Sequence, residues 1–171
     1  MKLNERLESL DVFRGITVAA MILVNNPGTW EHIYSPLRHA PWNGCTPTDL
    51  IFPFFLFIVG VSIHFAYQHK TTEGLTQKVF LKILRRTLII FSLGIFLSLF
   101  PKFDFSVVRI PGVLQRISMV FFFSSILYLT TSWLAQIRIA VVLLFIYYIL
   151  MNFVTVPGFG APNLEPGTNL G

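Results

Sequence analysis

The stretch between residues 25 and 48 reads NNPGTWEHIYSPLRHAPWNGCTPT and gathers the side chains of this sequence best suited to chemistry. Asn25, Asn26, Glu31, His32, Arg38, His39 and Asn43 supply donors, acceptors and two imidazoles. An imidazole with an ordinary pKa of about 6.5 is the commonest general base at neutral pH. If the Arg38 guanidinium lies beside His39, it lowers that pKa and keeps the ring neutral. A surface imidazole is the plainer reading of His39 taken alone, and His32 has no further support. Pro27, Pro36, Pro41 and Pro47 block regular helix and reduce the backbone freedom that folding must remove. Trp30, Tyr34 and Trp42 suit an anchor at a membrane–water interface. That role explains the aromatics but not the density of polar groups among them.

The residues that follow predict how this loop ends. Thr46-Pro47-Thr48-Asp49 fits a capping box, with Thr46 as N-cap, Pro47 in the first helical position and Asp49 in the third. The positive end of that helix then points at Arg38 and His39, where it can stabilise a developing oxyanion. Capping alone is the commoner meaning of such a pattern. Pro53, one turn later, cannot donate to residue 49 and is expected to kink the helix and open space for a ligand. Other chemistries lack their signatures. His32, His39 and Glu31 do not have zincin spacing, so no metal site is expected. The sequence contains no G-x-S-x-G elbow, no Walker or G-x-G-x-x-G pattern, and no basic–aromatic interleaving of the nucleic-acid kind.

Long apolar runs must position this loop. The chain has 171 residues, 54% of them hydrophobic and 12% charged, with eighteen Phe. The charged share is about half that of an average globular domain, and the mean hydropathy is +0.67. Such a chain cannot cover its surface with polar groups, so we expect an all-α, polytopic transmembrane bundle rather than a soluble, disordered or disulfide-stapled fold. The single cysteine, Cys45, has no partner for an internal disulfide. Helices are predicted near 10–26, 49–67, 79–99, 113–131 and 137–156, with the loop 25–48 between the first two. The first could instead be a signal peptide. However, Glu5, Glu8 and Asp11 dilute its basic start, and no cleavage site precedes Asn25. An N-terminus on the cytoplasmic side puts Lys2, Arg6, Lys70, Lys78, Lys82, Arg85, Arg86 and Arg138 inside. Only Arg38, Lys102 and Arg109 then lie outside, which favours that orientation. An odd helix count followed by the Pro/Gly-rich tail VPGFGAPNLEPGTNLG suggests one incomplete domain over 1–171, with further spans beyond Gly171.

Several charges fall at membrane depth. Asp11 and Arg14, three residues apart on one helix face, are expected to pair. Gln115 and Arg116 lie about one turn into the fourth span, where they either pack against Asp11, Asp49 or Asp104, or contact a substrate or cofactor phosphate. Lys78, Lys82, Arg85 and Arg86 form a basic stripe. Anionic lipid is the plain partner of such a stripe, and a phosphorylated cytosolic donor is the sharper one.

Four stretches taken in order carry a resemblance. They are RLESLDVFRG from Arg6 followed by MILVNN to Asn26, then PLRHAPWNG from Pro36, DLIFPFF from Asp49, and Arg109 through Arg116. In order and spacing they resemble the heparan-alpha-glucosaminide N-acetyltransferase family, including its bacterial members, over residues 6–116. The resemblance implies a larger polytopic protein in a bacterial inner membrane. It also implies transfer of an acetyl group from cytosolic acetyl-CoA to an amino sugar of an extracytoplasmic glycan. His39 matches the family's catalytic histidine, and Asn25 its site asparagine. We therefore expect His39 to act as general base or acetyl carrier, and Asn25 or Asn43 to hold the oxyanion with the helix end. Asn26, Arg38, Trp42, Asn43, Asp49, Gln115 and Arg116 are expected to face substrate. Arg14, Lys82, Arg85 and Arg86 are expected to face the charged end of acetyl-CoA. A lipid bilayer and the glycan are the expected partners, a homodimer is possible by analogy, and no nucleic acid or metal is expected. Two other readings stay open: a transporter or channel for a small polar solute, and an inactive structural fragment.

Overall fold

The computed structural model describes residues 8–29, 31–100, 112–156, 162 and 164–167. Trp30, Lys102, Asp104, Arg109 and most of the Pro/Gly-rich tail lie outside the described residues. Among those described, the fold is all helical. The helices are α1 (Glu8–Asn25), α2 (Pro47–Tyr67), α3 (Gln77–Leu99), α4 (Val113–Thr130) and α5 (Trp133–Phe153), with single 3-10 turns at Ser35–Leu37 and Gln68–Lys70. The expected helices are thus all present, most within two residues of their predicted ends. The largest difference is the start of α5, four residues earlier than predicted. Ser132 caps it by accepting from the Ala135 amide at 3.4 Å, and the Gln136 side chain donates to the Thr131 carbonyl at 3.1 Å. Hydropathy discounts those polar residues, although they form the helix's first turn.

Three of the helical segments, Pro47–Lys70, Val113–Thr130 and Trp133–Phe153, are long and apolar enough to cross a membrane. The protein is an integral membrane protein. α1 and α3 carry charge within their lengths, Glu8, Asp11 and Arg14 in the first and Lys78, Lys82, Arg85 and Arg86 in the second.

Two compact units make up the chain, Met1–Leu129 and Thr130–Gly171. In the first, α2, α3 and α4 pack around Ile63, Val79, Ile83, Phe121 and Leu129, all buried, with Val59, Tyr67 and Tyr128 against them. The Phe13 and Phe54 rings meet edge to face, 5.8 Å between centroids, and join α1 to α2. Small and hydroxyl residues set how closely the helices approach. Thr17, Thr87 and Ser118 are buried and turn their hydroxyls back on carbonyls of their own helices, at 2.7–2.9 Å. This satisfies the hydroxyls without a partner across the interface. Gly94 of α3 lies directly against Gln115 of α4. A Cβ there would sit 2.7 Å from the Gln115 Oε1 and 2.9 Å from the Leu114 Cβ, so glycine is the residue that fits. The turn between α2 and α3 closes on Gly74, in the left-handed region at φ +68°. Its amide donates to the Lys70 carbonyl at 3.0 Å, a helix-terminating geometry that side chains disfavour. In the second unit, α5 carries no charged or amide side chain between Arg138 and Asn152, and none of its residues is buried. That pattern belongs to a helix whose solvent is lipid.

Candidate active site

The site is built on the first turn of α2. Thr46 is extended, at φ −101°, and precedes Pro47, whose fixed φ starts the helix without wasting a donor. Asp49, one turn in, reaches back. Its Oδ2 accepts from the Thr46 amide at 2.9 Å and from the Thr46 hydroxyl at 2.9 Å. The same oxygen takes the Ala40 amide at 3.3 Å. Oδ1 lies 2.6 Å from the His39 Nδ1. One carboxylate therefore starts the helix and ties the loop residues 39–40 to it. Gly44, at φ +123°, makes the reversal that returns the chain from Trp42 to Thr46. A further tie comes from Thr48, which is buried and donates to the Pro36 carbonyl at 3.2 Å.

This arrangement defines the chemistry of His39. With Nδ1–H donated to a carboxylate, Nε2 is left as the basic nitrogen. The carboxylate orients the ring and stabilises an imidazolium that forms in front of it. The His39 side chain is 64% exposed against 28% for Asp49, so the imidazole is the accessible member of the pair. Asn25, the last residue of α1, donates to the Met21 carbonyl at 2.8 Å. Asn25, Thr48 and His39 border a common cavity of about 100 Å³.

A second, larger cavity of about 280 Å³ lies further along α2. Arg14 and Arg86 enter it from α1 and α3, Ser62 from α2, and Phe55, Ile58 and Phe121 supply apolar wall. Arg14 pairs with Asp11 at 3.0 Å, as the spacing predicts, and also donates to the Ser62 hydroxyl at 2.8 Å. The Arg86 guanidinium stacks over the Phe121 ring at 4.9 Å. Both cavities use one face of α2. Thr48, Ile51 and Phe52 line the first, and Phe55, Ile58, Val59, Ser62 and Ala66 the second. These positions follow each other at helical spacing. From Thr48 to Ala66 the face runs about 27 Å at 1.5 Å per residue, close to the thickness of a bilayer's hydrocarbon core.

The structure brings His39, Asn25 and Asp49 together at one end of this face, and Arg14 and Arg86 at the other. Asp49 has both oxygens engaged within the protein and stands behind the more exposed imidazole. Asn26 turns its amide to the Ile22 carbonyl at 2.8 Å. Arg38, Trp42 and Asn43 are exposed on the loop. Gln115 is buried against Gly94, and its Nε2 has no hydrogen-bond partner among the described residues. Arg116, on the next position of α4, is exposed, as are Lys82 and Arg85 on α3; none of the three borders either cavity. His64 of α2 meets the Tyr128 hydroxyl of α4 at 2.9 Å. Among the described residues no group of His, Cys, Asp or Glu could hold a metal ion. The sequence reading missed two things: the direct His39–Asp49 contact, and Ser62 as the neighbour of Arg14. The first was within reach, since a residue in the third position of a helix lies near the loop that enters it.

These features define a class: a helical integral membrane protein with a carboxylate-held imidazole at one end of a helix face and paired arginines along it. Within that class the chain belongs to the heparan-alpha-glucosaminide N-acetyltransferase family, whose catalytic-region profile matches residues 6–166. It is 37% identical over 131 residues to the heparan-alpha-glucosaminide N-acetyltransferase of Homo sapiens, a match covering 73% of this chain and 19% of that protein. To the protein of the same name from Mus musculus it is 34% identical over 128 residues, covering 71% of this chain and 19% of that one. The chain therefore spans about a fifth of the length of these curated relatives.

Proposed function

We propose that this chain forms part of the active site of a membrane acetyltransferase. Acetyl-CoA enters along α2, and its acetyl group passes to the amine of an amino sugar on an extracytoplasmic glycan. The observation that carries the reading is the one face of α2 that joins the arginine-lined cavity to His39. A phosphate-bearing donor cannot cross lipid freely. Arginines suit its charged end, because a guanidinium matches phosphate geometry with paired donors. The apolar walls between suit a thioester-bearing arm. Family membership supports the same reaction class. In this reading the loop of residues 25–48 faces away from the cytoplasm, and the basic end of α3 faces the cytoplasm. Lys82 and Arg85 then attract the donor's charged end from outside the cavity.

The reaction is a direct transfer. The acceptor amine attacks the thioester carbonyl while His39 Nε2 takes the amine proton. Asp49 stabilises the imidazolium through Nδ1. Asn25, with one amide N–H bonded to the Met21 carbonyl, uses the other to stabilise the oxyanion. As the tetrahedral intermediate collapses, the C–S bond breaks, the amide bond remains, and the proton on His39 passes to the departing thiolate. The products are the N-acetylated sugar and CoA.

The test is donor binding by the full-length protein. Wild type should bind acetyl-CoA saturably in titration calorimetry. Arg14→Ala and Arg86→Ala should each weaken Kd by roughly ten- to hundredfold, the value of a charge-assisted hydrogen bond at about 1.5–3 kcal/mol. A wild-type protein with no saturable affinity for acetyl-CoA would favour the transporter reading and overturn this one.

A further inference from the structure

The two arginines that border the larger cavity are held in different ways. Arg86 of α3 stacks over the Phe121 ring, and among the described residues no carboxylate pairs with it. Arg14 of α1 is bonded on two sides. Its Nη1 donates to the Asp11 Oδ1 at 3.0 Å, and its Nη2 donates to the Ser62 hydroxyl of α2 at 2.8 Å. Its other N–H groups remain for an arriving anion. Asp11 is not part of the cavity wall, so it acts on a ligand there through Arg14. The Asp11 side chain is 35% exposed and that of Arg14 42%, so both groups meet water at the side from which a charged ligand arrives. A carboxylate in contact with a guanidinium offsets much of the positive charge that an anion beside Arg14 would feel. Ser62 ties the same guanidinium across the helices without that loss.

We infer that Asp11 is a positioning residue with a second effect: it holds Arg14, and its negative charge limits how tightly the arginine-lined cavity grips the donor's phosphates, which lets CoA leave. The inference rests on the acetyltransferase reading above and adds a determinant of product release to it. Acetyl-CoA and CoA carry the same charged end. Affinity at that end tightens substrate and product alike and does nothing for the transfer step. Without the Asp11 charge, CoA would stay longer in the cavity and compete with the next acetyl-CoA. Affinity differences within one site fall mostly on dissociation, so the charge acts on the rate at which CoA departs.

The test compares full-length wild type with Asp11→Asn and Asp11→Glu. Asparagine keeps an oxygen for Arg14 and removes the charge, whereas glutamate keeps the charge. Asp11→Asn should bind CoA and acetyl-CoA about two- to fivefold more tightly than wild type, the range of a partly exposed charge contact. CoA should dissociate more slowly by a similar factor. The gain should shrink at about 1 M salt, where charges are screened beyond roughly 3 Å, and Asp11→Glu should stay near wild type. S-acetylpantetheine has no phosphate, so wild type and Asp11→Asn should use it as donor with the same kcat/KM. That comparison, made on the same samples, corrects for any loss of folded protein. Three results overturn the inference while leaving the transferase reading intact. Asp11→Asn may not tighten CoA at all, as expected of a residue that only braces α1. The same tightening may occur in Asp11→Glu, or extend equally to S-acetylpantetheine. If wild type has no saturable affinity for acetyl-CoA, the transferase reading itself fails, and the role of Asp11 fails with it.

Discussion

His39→Ala should lower acetyl transfer by roughly 10²–10⁴-fold, the usual contribution of a positioned general base, while acetyl-CoA binding stays within about twofold of wild type. The separation follows from position. His39 stands on the loop at the far end of the α2 face from Arg14 and Arg86, so its removal leaves the charged contacts of the donor unchanged. Its side chain is mostly exposed, so truncation leaves no cavity in the helical core. The loop keeps its other ties, from Ala40 to Asp49 and from Thr48 to Pro36. A steady-state assay paired with calorimetry reads both quantities. The expected pattern is a collapse of kcat with an intact Kd for donor. Transfer that persists within tenfold of wild type would remove the imidazole from the mechanism.

The second large effect belongs to Asp49→Asn, a change of one atom. Three donors converge on Oδ2: the Thr46 amide, the Thr46 hydroxyl and the Ala40 amide. They will hold the amide oxygen of the asparagine on that side. Its NH₂ then faces His39 Nδ1, which must become an acceptor, and the ring proton moves to Nε2. The nitrogen that should receive the amine proton is now blocked. We expect kcat to fall by about 10²–10³-fold through the wrong tautomer and the lost stabilisation of imidazolium. The cost in stability should be small, because the first-turn hydrogen bonds survive; losing a cap outright costs about 1 kcal/mol. Thermal unfolding in detergent, donor affinity and kcat measured together separate this from a structural role. If Asp49 only caps α2, the variant will keep near-normal kcat.

Much of the fold was legible because a membrane helix announces itself by length and apolarity. The runs 49–67 and 113–131 match α2 and α4 within two residues at each end. Helix boundaries made of polar caps were harder, and Ser132 at the start of α5 shows why: its contribution is one hydrogen bond to a backbone amide, which hydropathy does not register. Within the site, the motif residues Asn25, His39 and Asp49 could be singled out, but not their mutual geometry. Asp49 is both the N3 residue of a helix and the partner of an imidazole ten positions earlier, and the second role depends on how Gly44 folds the loop back. The basic stripe on α3 was also divided in a way spacing does not specify. Arg86 stacks over Phe121 and lines the larger cavity, whereas Lys82 and Arg85, four and one residues away, border neither cavity. Burial of Gln115 against Gly94 required knowing which helices touch.

The central claim is that an acyl group presented from one face of the membrane is transferred at His39 on the other. Sealed vesicles containing the full-length protein test it most directly, with glucosamine trapped inside and acetyl-labelled acetyl-CoA added outside. Molecules inserted with the basic end of α3 outward should produce N-acetylglucosamine in the lumen, with CoA released and no labelled donor crossing, and His39→Ala should abolish the luminal product. Labelled product formed only when both substrates share a compartment, or luminal product undiminished in His39→Ala, would contradict the account.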